Sequence, residues 1–547
     1  MYKTGERIVA PAEERTWPHE GYASSCVRKR IPQSGCRAHG AIFIRTLIFQ
    51  VAGNWENRMV EIATGSAVPK LSGEGGELRR GVLGVGFITF FVVSAAGPLV
   101  AMAGGVPVAM LLGNGAGIPA TFLLVLAILL IFSVGYTSMA RYVTNAGAFY
   151  AFTTRGLGGT VGGAAAIIAI VAYNTMQIGI YGMFGTASSG LLESLFGVNL
   201  PWWLYSYVAM VVIGVLGYRQ IDISAKVLGA LVVGEYVGVL ILDMAIVRFG
   251  GAGGISGTSF TPHAFVSGSP SIGLLFCFAA FIGFEATTIY AEEAKNPERT
   301  VPLATYFSVL LIGGFYTLSS WCVVTGIGPD KVVSTIRGLS DPTHLLFELS
   351  NQYVGGWLTT LLRILFVTSV FAGLLAFHNS VARYFYAMGR DGLLPSRLGK
   401  THAIHQSPHI GSVLQTLLAA SVVFIFAVAG GDPVLTLFSW LTNVGTLGVI
   451  VLMALVSFAV PAFFLRNPKL AYGTLGSILS PVVAGIAFAI IVVLAFIHFD
   501  VLTGASRRLA VVLPALIPLA ALIGALLALR LRRADPARFA RLGLHKL

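Results

Sequence analysis

Charged residues are scarce in this chain of 547 residues. They make up 11% of the sequence, whereas hydrophobic residues make up 56%, and the mean hydropathy is +0.81. Because soluble domains carry about 25% charged residues, this composition excludes an ordinary soluble fold. Cysteine is rare as well, and four cysteines divided between the N-terminal region and two apolar runs support no disulfide framework. The composition indicates a membrane protein.

Other patterns are missing too, and each absence excludes a class of protein. The apolar runs are too long and too uniform for the alternating strands of an outer-membrane barrel. No metal-ligand spacing or nucleophile motif occurs within them, so we predict no enzyme, no metal site and no cofactor other than a coupling ion. His402, His405 and His409 have suggestive spacing, but Pro408 interrupts any helix there, and we predict a solvated loop instead of a zinc site.

Long apolar runs are what the sequence has in abundance. A spanning helix needs about 20 mostly apolar residues, and twelve runs meet that length. These segments 1–12 occupy residues of about 82–111, 119–139, 158–189, 201–217, 224–248, 270–291, 302–326, 355–386, 411–430, 434–465, 477–498 and 509–531. The connections are short, so no sizeable soluble domain is inserted. The predicted fold class is an all-α polytopic membrane protein.

The basic residues predict the orientation of these segments. With both termini in the cytoplasm, all but six of the 36 Lys and Arg lie on the inner side. The six exceptions are Arg248, Lys331, Arg337, Arg363, Arg507 and Arg508. The net charge of +13 therefore reflects multi-pass topology in the cytoplasmic membrane and not binding to nucleic acid. The basic residues after segment 12 are predicted to anchor that helix to an anionic inner leaflet.

Residues 1–80 differ from the rest and are predicted to form a cytoplasmic N-terminal tail. They are polar, mix both charges, and contain one apolar patch that is broken by Arg45 and is too short to span. No signal-peptide cleavage pattern opens the sequence. Two interpretations of residues 1–58 stay open. They form a disordered tail, or they are upstream sequence read from a wrongly chosen start codon, because Met59 opens what looks like an ordinary short tail.

The most informative stretch is residues 276–304, which read FCFAAFIGFEATTIYAEEAKNPERTVPLA. An apolar run carries Gly283 and Glu285 near mid-depth and ends in a charged turn closed by Asn296-Pro297. A carboxylate in an apolar span costs about 3 kcal/mol or more, so it is expected to face a cavity or a partner group and not lipid. The alternative is a polar stripe that only packs against a neighbouring helix.

Segment 1 is interrupted in a similar way, by Gly97-Pro98. Proline removes a backbone donor, and a broken helix at membrane depth is tolerated only where it lines a cavity or is buried in protein. A simple kink is the alternative. The two interrupted segments lie five apart, which predicts an inverted repeat of five plus five helices. The predicted units are residues 81–250 and 270–465 for the two repeats, 475–533 for helices 11 and 12, and 534–547 for a basic tail.

These features resemble the amino acid–polyamine–organocation (APC) permeases. The resemblance rests on the Phe-x-Gly-x-Glu core and the Glu-Glu-x-x-Asn-Pro-x-Arg-x-x-Pro end of segment 6, and on residues 112–119, 146–158 and 376–395. It implies a secondary active transporter of amino acids or related amines that works by alternating access, with an exchanger as the alternative. A channel would need an unobstructed pore, which one pair of broken helices fits poorly. The string Ser94-Ala95-Ala96-Gly97-Pro98 departs from the family's usual Gly-Ser-Gly, which leaves the unwound turn and the substrate class open.

A free amino acid could bind main-chain groups at the two breaks. Half-helix ends expose N–H groups that suit its carboxylate and C=O groups that suit its amine. The predicted N–H donors are Ser94, Ala95, Ala96 and Gly97, and the predicted carbonyl acceptors are Ala279, Ala280 and Ile282. Phe281 is predicted to close over the substrate, with Phe278 as the second choice. By the family resemblance, Tyr173 and Asn174 on segment 3 face the same site; hydrogen bonds between helices are the alternative.

Glu235 on segment 5 and Glu285 are the predicted proton-coupling residues. Some proton-coupled APC relatives carry a lysine in this part of the fifth helix, where its ammonium replaces a sodium ion, and Glu235 aligns with that position. Because desolvation disfavours the charged form, a buried carboxylate can take and release a proton near neutral pH. A permanently paired structural carboxylate is the alternative, and sodium remains an alternative coupling ion. The expected partners are a small amino acid or amine substrate and the lipid bilayer; the oligomeric state stays open.

Overall fold

The architecture is helical throughout the described part of the chain. The computed structural model describes residues 84–143, 147–219, 225–285, 287–288, 294–402, 404–405, 407–471, 473–503 and 506–543. Every regular element within these residues is a helix, which confirms the predicted all-α membrane class. The predictions for residues 1–80, including the question of the start codon, lie outside the described residues.

All twelve predicted segments contain helix. Nine helices in the described residues are long and apolar enough to cross a membrane, and they correspond to segments 2, 3, 5 and 7–12: Gly115–Ala140, Gly159–Phe196, Gly229–Phe249, Pro297–Ile327, Gly356–Asp391, His409–Val428, Pro433–Arg466, Leu475–Thr503 and Arg507–Ala534. Segment 4 is the helix Trp202–Arg219. Segments 1 and 6 are the interrupted ones, with helices at Val85–Ala96, Val100–Leu112 and Pro270–Ala279. Shorter helices in the connections are Ala148–Leu157, Pro262–Val266, Val332–Arg337, Leu345–Tyr353 and Pro536–Ala540.

Proline and glycine set several helix boundaries. Segment 7 begins at Pro297, whose missing N–H would have no partner in a first helical turn anyway. Segment 8 ends before Gly392, which has a φ of 87° and lets the chain leave the helix. These two residues place the charged turn after segment 6 and the loop before segment 9 at the same end of the bundle.

Segment 3 is the central helix and packs against segments 8, 10 and 12. Small residues allow the close approach. A Cβ atom added to Gly163 would lie 2.7 Å from the carbonyl oxygen of Gly524 on segment 12. One added to Gly445 on segment 10 would lie 2.7 Å from the carbonyl oxygen of Ala172. Membrane helices associate through such small-residue contacts because lipid gives no hydrophobic drive between them.

The packing partners repeat when each segment is exchanged for the one five positions away. Segment 1 packs on segment 7, and segment 6 packs on segment 2. Segment 3 packs on segment 10, and segment 8 packs on segment 5. This pattern agrees with the predicted five-plus-five arrangement. It also brings the two interrupted segments, 1 and 6, into contact with each other.

The C-terminal tail packs onto the helix bundle. Gly543 donates its N–H to Asp391 Oδ2 (3.4 Å), which also accepts the hydroxyl of Tyr150 (2.8 Å). Leu542 is 2% exposed, and the ring of Phe539 lies against Gly159. The tail therefore ties segment 12 to segment 8 and to the connection between segments 2 and 3. We call this end of the bundle the tail side. The opposite end, where segment 5 ends at Phe249 and segment 7 ends at Ile327, is called the loop side. Anchoring of the basic residues to lipid stays a prediction.

Candidate functional site

The break in segment 1 is centred on Gly97. Its φ of 55° is left-handed, and a Cβ atom there would lie 2.9 Å from Val100 Cγ2, so glycine is required. Pro98 follows and has no N–H to continue the helical ladder. The helix Val85–Ala96 ends just before the break, and the chain resumes as a π-helical turn at Val100–Gly105.

This geometry shifts the candidate N–H donors along the chain. Ser94, Ala95 and Ala96 belong to the last turn of the first helix, where backbone N–H groups bond to carbonyls one turn earlier. The unpaired N–H groups of a break belong to the first turn after it. Leu99 lies in that turn, and its N–H points out of the helical ladder to a side chain. Gly97, the remaining predicted donor, lies at the break itself. The binding roles of these four residues stay predictions, and the geometry favours donors after Gly97 over donors before it.

Glu235 accepts this free N–H. Its Oε2 atom lies 3.2 Å from Leu99 N and 2.8 Å from the hydroxyl of Ser369, which donates to it. Glu235 is 1% exposed and has no ion-pair partner among the described residues. The carboxyl therefore joins segments 1, 5 and 8 at the start of a half-helix, where the dipole favours negative charge.

The break in segment 6 is a tight turn that follows the helix Pro270–Ala279. The N–H groups of Phe281 and Ile282 bond to the carbonyls of Phe278 (3.0 Å) and Ala279 (3.2 Å). Gly283 has a φ of 118°, which ends the helical path. Carbonyl oxygens have two lone pairs, so the Ala279 carbonyl keeps acceptor capacity for an amine.

Glu285 holds this turn in place. Its Oε2 atom accepts the Gly283 N–H at 2.8 Å, and its Oε1 atom accepts the hydroxyl of Tyr173 on segment 3. The backbone carbonyl of Glu285 accepts the hydroxyls of Tyr136 (3.2 Å) and Thr288 (3.0 Å). Glu285 is 2% exposed. The carboxyl therefore joins segment 3 to the turn, and the backbone carbonyl of the same residue joins segment 2 to it. Its role in proton coupling stays a prediction.

A cavity of about 60 Å3 lies between the two breaks. Segments 1, 3, 6, 8 and 10 line it. Of the predicted substrate-binding residues, the cavity is lined by Ala96, Ala279, Ala280 and Ile282. Its other lining residues are Val100, Ala101, Gly105, Met176, Ile180, Phe276, Gly373, Phe377, Phe438 and Thr442. None of these described residues is charged, and Thr442 supplies the one side-chain hydroxyl.

The two predicted closing aromatics do not line the cavity. Phe281 is 1% exposed and packs against Phe122 and Tyr316, with ring centroids 6.4 and 6.2 Å away. Phe278 packs against Phe488 on segment 11 at 5.9 Å. Both rings therefore pack in the core: Phe278 from the last turn of the helix Pro270–Ala279, and Phe281 from the tight turn that follows it. The aromatics at the cavity are Phe276, Phe377 and Phe438.

Tyr173 and Asn174 also have partners other than the cavity. Tyr173 donates to Glu285, and the amide nitrogen of Asn174 donates to the Ile170 carbonyl of its own helix (2.7 Å). The alternative of hydrogen bonds between helices therefore describes the contact of Tyr173, whereas Asn174 bonds within its own helix. The cavity-lining residues that sequence reasoning missed lie partly on the interrupted segments, at Val100, Ala101, Gly105 and Phe276, and partly on the uninterrupted segments 3, 8 and 10. Two of them, Phe276 and Phe377, belong to stretches that carry the family resemblance, at 276–304 and 376–395.

The three loop histidines surround Tyr218 at the tail side. Their ring centroids lie 5.2, 6.4 and 5.8 Å from that of Tyr218 for His402, His405 and His409. The Nδ1 atom of His402 accepts two backbone N–H groups, from Ile404 and His405, both at 3.2 Å. No metal-binding group of His, Cys, Asp or Glu was found in the described residues. This cluster is separate from the cavity.

A bundle of membrane helices with two broken segments that meet at a small internal cavity defines a membrane transporter. The profile of the amino acid permease family matches residues 84–541, and the chain belongs to this family. The branched-chain amino acid permease BcaP of Bacillus subtilis (strain 168) is 26% identical over 431 residues, 75% of this chain and 84% of the relative.

Two other relatives carry different substrates in their names. The low-affinity putrescine importer PlaP of Escherichia coli (strain K12) is 26% identical over 328 residues, 57% of this chain and 69% of the relative. A glutamate/gamma-aminobutyrate antiporter of Lactococcus lactis subsp. lactis (strain IL1403) is 27% identical over 307 residues, 52% of this chain and 58% of the relative. The family and these relatives make the chain a secondary transporter and a multi-pass membrane protein.

Proposed function

We propose that this protein imports apolar amino acids together with protons, in a cytoplasmic membrane with both termini inside. The lining of the cavity is the observation that carries the substrate class. Its side chains are apolar apart from Thr442, and none of the described lining residues is charged. A second amine or carboxylate on a substrate would be desolvated there without a partner, which costs several kcal/mol in an apolar site. Putrescine and glutamate are therefore poor fits.

The charged ends common to all amino acids are assigned to the breaks. The α-carboxylate binds at the first turn after Gly97, where the helix dipole attracts an anion and where protonation of Glu235 weakens its hold on the Leu99 N–H. The α-amine binds carbonyls at the end of the helix Pro270–Ala279, on the opposite wall of the cavity. The substrate is then recognised by main-chain groups, and the apolar lining selects its side chain.

Proton coupling is assigned to Glu235. A zwitterion is neutral overall, so a driving cation has to be held by another group at membrane depth. The Glu235 carboxyl accepts a hydrogen bond from the Leu99 N–H. In the sequence, Leu99 lies between Ala96 and Val100, which both line the cavity. Protonation removes the negative charge of Glu235 and weakens its hold on the first turn after the break. This supports a direct link between proton binding and the shape of the cavity.

Uptake into proteoliposomes tests the proposal. With an acidic exterior and no sodium, the wild type is expected to accumulate L-leucine or L-valine in unchanged chemical form, and putrescine and glutamate only weakly. The variant Glu235→Gln, which mimics the protonated form, should still exchange substrate but no longer accumulate it under the pH gradient. Glu285→Gln is the matched control, because it makes the same chemical change at the other carboxyl predicted to couple protons.

Three results would contradict parts of the proposal. Putrescine or glutamate uptake equal to that of leucine would overturn the substrate class. Accumulation by Glu235→Gln under the pH gradient would move the coupling role to Glu285. Strict one-for-one exchange in the wild type, with no net accumulation, would favour the antiporter alternative that the Lactococcus relative exemplifies.

A further inference from the structure

A third carboxyl lies within the membrane segments. Asp243 is on segment 5, eight residues after Glu235, which places it about 12 Å further along the helix axis towards the loop side. It is 4% exposed and lies six residues, or about 9 Å, before the helix ends at Phe249. An intramembrane carboxyl is by default a functional candidate, and neither the cavity nor the breaks use this one.

The contacts of Asp243 leave one oxygen unpaired. The Ser319 hydroxyl on segment 7 donates to Oδ2 at 2.5 Å. The Oδ1 atom is buried and has no hydrogen-bond partner in the described part of the structure. A buried acceptor without a partner is costly, and a proton on that oxygen removes its charge. Protonation of this carboxyl therefore removes a charge that the Ser319 hydroxyl pairs only in part.

Few titratable groups face this carboxyl. Segment 7 contributes the Cys322 thiol beside it. On segment 8, Arg363 is directed away, to the Gly190 carbonyl (3.4 Å) and the Phe347 ring. On the Leu345–Tyr353 helix, which also packs on segment 5, the Tyr353 hydroxyl donates to the Gly326 carbonyl. No described Lys or Arg forms an ion pair with Asp243.

Hydroxyl groups occupy the interface between the two carboxyls of segment 5. Tyr316 lies one turn from Ser319 on segment 7, towards the tail side, and donates its hydroxyl to the Ala96 carbonyl (3.2 Å). Tyr236 follows Glu235, and its hydroxyl is buried with no partner in the described structure. Asp243, Ser319, Tyr316 and Glu235 thus form a discontinuous row of groups with exchangeable protons along the contact between segments 5 and 7.

We propose that Asp243 is a second proton-binding site, at which a proton from the loop side is held before it passes to Glu235. The inference rests on the proposed proton coupling and on an outward-facing loop side. One proton moves from water to the Asp243 carboxylate and then through hydroxyl groups or water to the Glu235 carboxylate. No other bond changes. The row ends beside the break in segment 1, where the proton acts on the cavity.

The variant Asp243→Asn tests this role because its amide keeps the shape but cannot carry the proton. Substrate exchange at equal pH should remain within about twofold of the wild type. Uptake driven by a pH gradient should fall by roughly tenfold or more, since a positioned proton carrier is typically worth at least that much. Asp243→Glu, which keeps a carboxyl at this position, should retain part of this uptake.

A hydroxyl variant gives a second test if Asp243→Asn does not fold. Ser319→Ala keeps the carboxyl but removes its donor, so the curve of uptake against pH should be displaced. Ser320→Ala is the matched control, because that buried hydroxyl bonds to the Thr317 carbonyl of its own helix (3.3 Å). Identical curves for the two serine variants would overturn the proposal.

The remaining outcomes separate this proposal from the proposed function. If the wild type exchanges substrate but never accumulates it under a pH gradient, proton coupling itself fails and the role of Asp243 fails with it. If the wild type is proton-driven and Asp243→Asn matches it in rate and accumulation, the second site alone is refuted. An equal loss of exchange and of proton-driven uptake in Asp243→Asn, with the same loss in Asp243→Glu, would make Asp243 a purely structural group.

Discussion

The substitution Gly373→Ala should change which amino acids the protein accepts without harming its fold. Gly373 is buried in segment 8 and lines the cavity. A Cβ atom added there meets no atom within 4 Å, so the methyl group enters open space. Alanine is also favoured over glycine inside a helix by about 0.5–1 kcal/mol. The variant is therefore expected to have the thermal stability of the wild type or slightly more.

The added methyl group occupies part of a cavity of about 60 Å3, so it competes with the substrate side chain. One methylene in an apolar pocket is worth about 1–3 kcal/mol, or roughly 10- to 200-fold in discrimination. We expect uptake of leucine and valine to fall by a factor in this range relative to alanine. Competition assays with radiolabelled alanine in proteoliposomes, with unlabelled amino acids of increasing size, measure this shift.

Two matched variants complete the experiment. Gly314→Ala adds a methyl group in open space on the exposed face of segment 7, where it does not line the cavity. It should leave substrate selectivity unchanged. Gly105→Ala adds one to the opposite wall of the cavity, again with no atom within 4 Å. The reasoning is refuted if Gly373→Ala and Gly105→Ala both lower alanine and leucine uptake equally, or if neither changes any competition curve.

Three further predictions concern stability. Phe281→Ala should destabilise the protein by about 3–5 kcal/mol with little change in substrate affinity per folded molecule, because the ring packs in the core; weakened binding at unchanged melting temperature would return the ring to the substrate site. Tyr173→Phe should cost about 1–3 kcal/mol, because it leaves a buried Glu285 oxygen without its donor, and an unchanged melting temperature would contradict this. Deletion of residues 535–547 should lower the melting temperature but leave membrane insertion intact, since buried Leu542 is lost; equal stability would mean that the tail is not docked in solution.

The segments and the two breaks could be predicted from sequence because their causes are local. An apolar run of spanning length forms a helix in lipid, and Gly97-Pro98 and Gly283 cannot continue one. The direction of side chains at a break has no such local cause. Phe281 lies within a tight turn whose direction depends on tertiary contacts, and its ring packs in the core and not at the cavity.

Apolar segments also hide which of their residues face a cavity. Phe377, Phe438 and Met176 lie on helices that are hydrophobic on every face, so periodicity carries no information about their orientation. Glu235 was identifiable because a carboxyl in such a helix is exceptional, but its partners Leu99 and Ser369 were not. Asp243 lies close to the end of segment 5. A carboxyl near a helix end is typical of the membrane interface, so the sequence does not distinguish it from an interfacial residue.

The docked C-terminal tail makes the protease sensitivity of the protein a measure of its transport cycle. Arg541 is exposed, but Leu542 and Gly543 are buried against the bundle, and Gly543 is bonded to Asp391 at the end of segment 8. Cleavage after Arg541 requires several residues of chain to leave that surface. At a high trypsin concentration, where cleavage outpaces reclosing, the rate of cutting equals the rate at which the contact opens. A change of substrate or pH that moves segment 8 and breaks the contact with Asp391 will therefore increase the rate of tail cleavage. This rate can be measured on the unlabelled protein.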